Sequence, residues 1–177
     1  MLMSSYRPRV IRLIASVSFA SVCVAFSADA QESTASADSL AHHVRNAPVS
    51  LSRGLSAARA RGNPISAKYE LEEGKPQLSV YTVKGNRFWE VIVDHRTGRI
   101  TKAEEIKEGD DLTAAKAQSD AMSKAKRSLN AAVTQAVREN PGSHAVSVAP
   151  SIDAGHPVAT VKLVTRKTGK TVSQALD

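Results

Sequence analysis

The sequence predicts an α+β protein made of two tandem units, each a helix packed on a small antiparallel β-sheet. Three observations carry that expectation. Apolar residues recur at helical spacing at Leu51, Leu55 and Ala58, then switch to strict alternation at Ile65, Ala67, Tyr69 and Leu71. Gly85-Asn86 separates two further alternating runs, and this dipeptide suits a two-residue hairpin because both residues tolerate positive φ. After a second helical stretch, the order of helix, strands and Thr-Gly turn returns.

Composition sets the frame for these units. The 177 residues are 42% hydrophobic and 23% charged, which excludes collagen-like, wholly disordered and polytopic membrane classes. Arg7, Arg9 and Arg12 precede an apolar stretch from Leu13 to Phe26, and Ala28-Asp29-Ala30 then supplies small residues where a signal peptidase cuts. Residues 1–30 are therefore expected to be a signal peptide, cleaved after Ala30, with the mature protein periplasmic or secreted. As an uncleaved anchor the run falls short of the ~20 apolar residues that cross a bilayer, so no transmembrane segment is expected after cleavage. Cys23, the single cysteine, leaves with the signal. Its acylation as a lipoprotein is disfavoured by Val22, where a small residue is expected.

Removing Arg7, Arg9, Arg12 and Asp29 with the signal lowers the formal charge from +7 to +5. Lys and Arg are scattered among acids, so there is no case for nucleic acid.

Along the mature chain, residues 31–48 read as a flexible leader: Gln31 to Ser39 is small, polar and without period, and Leu40 to Ala47 forms at most a short helical turn before Pro48. Ser50 caps a helix that Gly62-Asn63-Pro64 closes. Ile65 begins a half-buried strand, and Gly74-Lys75-Pro76 turns it into a hairpin of Gln77 to Lys84 and Arg87 to Asp94.

If Lys84 pairs with Arg87, then Val83 faces Phe88, Thr82 faces Trp89, Val80 faces Val91 and Leu78 faces Val93. Leu78, Val80, Thr82, Trp89, Val91 and Val93 then form the core face. Asp94 is placed to accept backbone hydrogen bonds across the turn His95-Arg96-Thr97-Gly98, Ile100 starts a fourth strand, and Gly109-Asp110-Asp111 ends the unit. Thr113 caps a long helix reaching about Glu139, with Met122, Ala125, Leu129, Val133 and Ala136 as its apolar stripe. Short strands around Ala145 to Val148, Val158 to Thr165 and Thr171 to Leu176 complete the chain.

The halves match in order and punctuation. Ser50-Leu51 corresponds to Ser128-Leu129, Leu55 to Val133, Ala58 to Ala136, Asn63-Pro64 to Asn140-Pro141 and Thr97-Gly98 to Thr168-Gly169. The second half is shorter between its helix and its Thr-Gly turn, by enough to shorten or delete one strand. The expected division is 49–108 and 109–177.

The first unit resembles a PepSY domain, carried by the Leu55 to Ala58 helix, Leu78 to Val83 and above all Trp89-Glu90-Val91-Ile92-Val93-Asp94-His95-Arg96-Thr97-Gly98-Arg99-Ile100. The second unit keeps Arg166-Lys167-Thr168-Gly169-Lys170 but has Thr165 where the first has Asp94. PepSY modules occur in propeptides of secreted thermolysin-type metallopeptidases and in many exported bacterial proteins. The resemblance implies a helix on an antiparallel sheet, a non-enzymatic binding or regulatory role, and another envelope protein, a peptidase above all, as partner. The alternative is a structural module that binds cell-wall or anionic envelope material, prompted by the positive charge.

No catalytic, cofactor-binding or metal-binding residue is assigned. Ser123-Lys124-Ala125-Lys126 and Lys167-Thr168-Gly169 fit two serine β-lactamase signatures, but Ser119-Asp120 precedes Ser123, the chain is too short, and Thr-Gly recurs as a turn in the first unit. His42, His43, His95, His144 and His156 lack metal-ligand spacing, and Glu70, Glu72 and Glu73 are explained as the polar side of a strand and its turn. The candidate binding residues are Tyr81, Val83, Phe88 and Ile92, a contiguous apolar patch on the second hairpin face. Either the second unit packs on that patch, or a partner does.

Overall fold

The computed structural model describes residues 29–166 and 168–177. Four helices and seven strands follow in the order α1 (Asp29–Asn46), α2 (Leu51–Ala58), β1 (Asn63–Glu72), β2 (Lys75–Lys84), β3 (Arg87–Val93), β4 (Ile100–Ile106), α3 (Gly109–Lys124), α4 (Leu129–Glu139), β5 (His144–Asp153), β6 (His156–Val164) and β7 (Gly169–Ala175). The fold is α+β. Its strands make one antiparallel sheet in the order β4-β3-β2-β1-β5-β6-β7, where the sequence suggested two small sheets. The join is the pairing of β1 with β5, at Ala67 with Val148 and Lys68 with Ser147. Nothing local in either strand marks that pairing, because it depends on which free edge finds the other.

The hairpin register is the one expected from Gly85-Asn86: Lys84 opposes Arg87, Val83 Phe88, Thr82 Trp89, Val80 Val91 and Leu78 Val93. The core face is also the expected one. Leu78, Val80 and Val91 are wholly buried, together with Val148, Val161 and Leu163 from β5 and β6, beneath α2 and α4. Burial of such side chains contributes roughly 1.5–3 kcal/mol each against exposure, so this layer dominates the fold's stability.

The two halves use the same local devices. Ser50 accepts a hydrogen bond from the Arg53 amide, and Ser128 accepts one from the Ala131 amide, each at 3.2 Å. The first hairpin of each half turns through two residues of positive φ, Glu73-Gly74 and Ala154-Gly155. A register shift lies between Pro64 and Ser66 in one half and between Ala145 and Ser147 in the other. Asp94 Oδ1 accepts from the amides of Arg96 (2.9 Å) and Thr97 (2.7 Å), while Thr165 Oγ1 accepts from the amide of Thr168 at 3.0 Å. The C-terminal half has three strands against four.

Two expected elements differ. The stretch read as a flexible leader and short turn is helical, α1 continuing from Asp29 to Asn46. No Gly or Pro interrupts it before Pro48, and Leu40 and Val44 pack against the core. The expected signal peptide, apart from its last two residues, lies outside the described residues. The long helix expected from Thr113 to Glu139 is two helices. The chain becomes extended at Ala125, the Lys126 and Arg127 amides donate to the Leu176 carbonyl, and Ser128 caps a new helix. Helix α3 also begins earlier, at Gly109, so Asp110 and Asp111 form its first turn, where carboxylates favour the helix dipole. The break sends α3 and α4 to opposite faces of the sheet.

Candidate interaction surface

Tyr81, Val83, Phe88 and Ile92 all project from the face opposite α2 and α4, as the register requires. Helix α3 crosses that face. Its Leu112, Ala115 and Met122 join Ile65, Tyr81 and Phe88 in a second, smaller core, with Val83 and Ile106 at its margin. Tyr81 and Phe88 are buried at 7% and 8% exposure, whereas Val83 and Ile92 remain half-buried. Thus the patch is divided into a covered part under α3 and an accessible margin.

Polar groups interleave with this patch. Glu90, between Phe88 and Ile92 on the same face, is only 6% exposed, and its Oε1 accepts from the Tyr81 hydroxyl at 3.2 Å. On the neighbouring strands, Ser79 donates to Glu70 at 3.0 Å and Lys68 pairs with Glu70 at 2.7 Å, its ammonium 5.8 Å from the Tyr81 ring centre. The sheet also binds the covering helix: Ser66 donates to Gln118 Oε1 at 2.6 Å. Burial raises the Glu90 pKa above the ordinary glutamate value; bonds from Ser79 and Tyr81 oppose it and Glu70 adds to it. Burial likewise raises Asp111, in the first turn of α3, with Asp110 and Glu70 reinforcing and Lys68 opposing. Tyr81 is raised by burial and by Glu90, Glu70 and Asp111.

These carboxylates are the residues that sequence reasoning missed. Glu70 reads as the solvated side of a strand and Asp111 as a turn residue. The available signal was Glu90, an acid standing among Tyr81, Val83, Phe88 and Ile92 on one face of a register that the hairpin turn had already fixed.

The remaining chemistry disperses. Ser123 is exposed and donates to the Asp120 carbonyl, beside the end of the sheet where Lys126 meets Leu176. Thr168-Gly169 begins β7 at its other end, so the two β-lactamase-like motifs are separated by that strand. His42 and His43 stack edge to face and His156 Nδ1 meets Asp177 at 2.8 Å; among the described residues no group of His, Cys, Asp or Glu is arranged to hold a metal ion. Two cavities of about 360 and 370 Å³ lie at helix junctions, one among Leu55, Arg59, Ile65, Val83, Met122 and Leu129, the other among Val44, Val49, Tyr69, Val133 and Val137. Among the described residues, no helix is long and apolar enough to cross a membrane.

A short helix laid on an antiparallel run of four strands, closed by the Asp94 turn, defines α2 through β4 as a helix-on-sheet module. Residues 48–104, which span that module, match the PepSY family model described as "Peptidase propeptide and YPEB domain". No curated protein sequence matches the chain. Among solved structures, a crystal structure from Clostridium difficile 630 described as a "putative lipoprotein" aligns at 12% identity and a TM-score of 0.43, over 75% of this chain and 89% of that one.

Proposed function

We propose that this protein is exported, is not an enzyme, and binds and modulates an envelope or secreted peptidase. The observation that carries this reading is the family match over residues 48–104, which coincides with α2 and nearly all of β1 to β4 and whose description names peptidase propeptides. Export is supported by the arginine-led apolar stretch and the Ala28-Asp29-Ala30 site, with cleavage after Ala30. The matching caps, turns and register shifts support reading the C-terminal half as a diverged second unit. Tyr81, Val83, Phe88 and Ile92 are the proposed contact residues, Val83 and Ile92 at the accessible margin and Tyr81 and Phe88 beneath α3.

The test is direct. Mature protein from the envelope fraction should have the mass of residues 31–177 and, after crosslinking, should recover a peptidase whose activity changes when the purified protein is added. Recovery of no peptidase, or unchanged activity of the one recovered, overturns the reading.

A further inference from the structure

The sheet ends in two edge strands, β4 and β7, and they are unequally defended. Strand β4 carries Lys102, Glu104 and Glu105 within seven residues, and its ladder slips between Ile92 and Val93. Charges and bulges of this kind keep an edge from pairing with another chain. Strand β7, Gly-Lys-Thr-Val-Ser-Gln-Ala, has Lys170 as its single charge, no proline and an unbroken register with β6.

The ladder shows which backbone groups of β7 are open. The Thr168 carbonyl accepts from the Thr165 amide and the Leu176 amide donates to the Pro157 carbonyl, so the residues flanking β7 both turn toward β6. Alternation along an unshifted ladder then points the amides and carbonyls of Thr171 and Ser173 away from the sheet. Among the described residues no strand meets them. The Ala175 carbonyl, which also turns outward, accepts from Arg127 at 3.0 Å and closes the open stretch.

Two charges beside this stretch are held by neutral groups. Lys170 Nζ donates to Asn140 Oδ1 at 2.7 Å, while Glu139 accepts from the amides of Gln135 at 2.7 Å and Gln174 at 2.9 Å. Arg138 and Arg127 lie near enough to act on Glu139 but do not bridge it. Lys170, Val172 and Gln174 share the α4 face of the sheet, opposite Leu163, Val161 and Ala159 of the main core.

We propose that β7 is the interface of a homodimer, in which two copies join edge to edge and antiparallel about a two-fold axis through Val172. In that register Thr171 faces the second copy's Ser173 on both sides of the axis, and each pair exchanges both of its backbone hydrogen bonds. Val172 faces its own copy. Lys170 stands across from the second copy's Gln174 and so beside its Glu139, which gives each lone charge an opposite one. Centring the axis on Thr171 sets Lys170 against Val172, and centring it on Ser173 sets Val172 against Gln174, so the Val172 axis alone matches like with like. On β4, by contrast, an axis through Glu104 sets that carboxylate against itself. Two short edges make a contact smaller than an obligate interface, so the dimer exchanges with monomer. It stands independently of any peptidase partner.

Sedimentation velocity of residues 31–177 over ~1–100 µM tests this, and should show a monomer–dimer equilibrium. Thr171→Pro removes an outward amide while sparing the ladder to β6, a position where an edge strand tolerates proline, and should leave a monomer of unchanged Tm. Lys170→Glu sets like charge against Glu139 and should weaken the dimer by about tenfold, and Lys170→Glu/Glu139→Lys should restore it. Residues 31–177 contain no cysteine, so Val172→Cys should link to its own copy on oxidation, at the close spacing of a non-hydrogen-bonded pair, whereas Ala103→Cys in the middle of β4 should not. A monomer throughout the range, a dimer indifferent to Thr171→Pro and to the charge reversal, or linkage at Ala103 in place of Val172 overturns the β7 dimer. Should Thr171→Pro fail to fold, the charge reversal and its restoration decide the matter.

Discussion

The N-terminal half, α2 to β4, and the C-terminal half, α4 to β7, start alike and finish differently. Both place a serine-capped helix on a hairpin that has a two-residue positive-φ turn and a register shift in its first strand. They part at the helix–sheet contact. In the first half Gly54 lies so close to the sheet that an added Cβ would stand 2.5 Å from Leu78 Cδ2. In the second, the corresponding helix position is Ala132, wholly buried, and the position matching Leu78 in the hairpin is Ala159. A glycine beneath a leucine has been exchanged for two alanines, so what the halves share is a distance filled, with the methyl groups distributed differently.

They differ again on the far face. Tyr81 and Phe88, buried under α3, belong to the first half, whereas the matching position of Tyr81 in β6 is Lys162, exposed to solvent. The strand carrying Phe88 and Glu90 corresponds in sheet order to β7, which has no aromatic residue, and it is β4 that has no counterpart in the second half. The features common to both halves make a hairpin; those confined to the first make a second core and the carboxylate cluster.

The comparison breaks most severely at Val91, in the middle of β3. Val91→Asp puts a carboxylate at a wholly buried position opposite Val80, and should cost several kcal/mol of a domain's ~5–15 kcal/mol, abolishing the cooperative melt. A normal Tm would show that the core face does not hold the fold. Next comes Phe88→Ser, which empties the small core under α3 and should destabilise by about 3 kcal/mol in chemical denaturation of the isolated protein. A change below ~0.5 kcal/mol would mean that α3 contributes no packing there.

Smaller effects sharpen the comparison of helices. Gly54→Ala forces Leu78 to move and Ala132→Gly loses a buried methyl and helix propensity, so each should cost about 1 kcal/mol for opposite reasons. A stabilising Gly54→Ala would show that Leu78 yields freely. The smallest effect lies in the turns. Amides of Thr97 and Arg96 and the Thr97 hydroxyl hold the Asp94 carboxyl below the ordinary aspartate range, so their contribution is present above that range and is lost as pH falls through the lowered value. Asp94→Thr, copying Thr165, should keep most of the Tm at neutral pH while removing this acid-side loss, and Asp94→Ala should lower Tm at neutral pH. An acid titration of Tm identical to that of the unaltered protein would show the two turns to be interchangeable.

Local chemistry made much of this legible before any coordinates. Gly85-Asn86 determined the β2–β3 register, and the register determined which face of the hairpin meets the core. Ser128 was also readable, since its correspondence to Ser50 marks a helix start in the middle of an apolar stripe that otherwise suggests one long helix. The stripe prevailed because Ala125, Leu129 and Val133 keep helical spacing across the break; what stops the helix is the Leu176 carbonyl, brought from the far end of the chain. Distant partners explain the other gaps. The single sheet depends on β1 finding β5, and the second core on α3 lying down over Tyr81 and Phe88, neither of which is encoded in spacing along one segment.

The β1–β5 junction also bears on the order in which the molecule assembles. Ala67 and Val148 are the most widely separated partners in sequence of any ladder in the sheet, yet they occupy its centre. Every other ladder joins neighbours along the chain and closes a short loop, which forms fast and at low entropic cost. By loop entropy alone, the two ribbons zip before the midline between them closes.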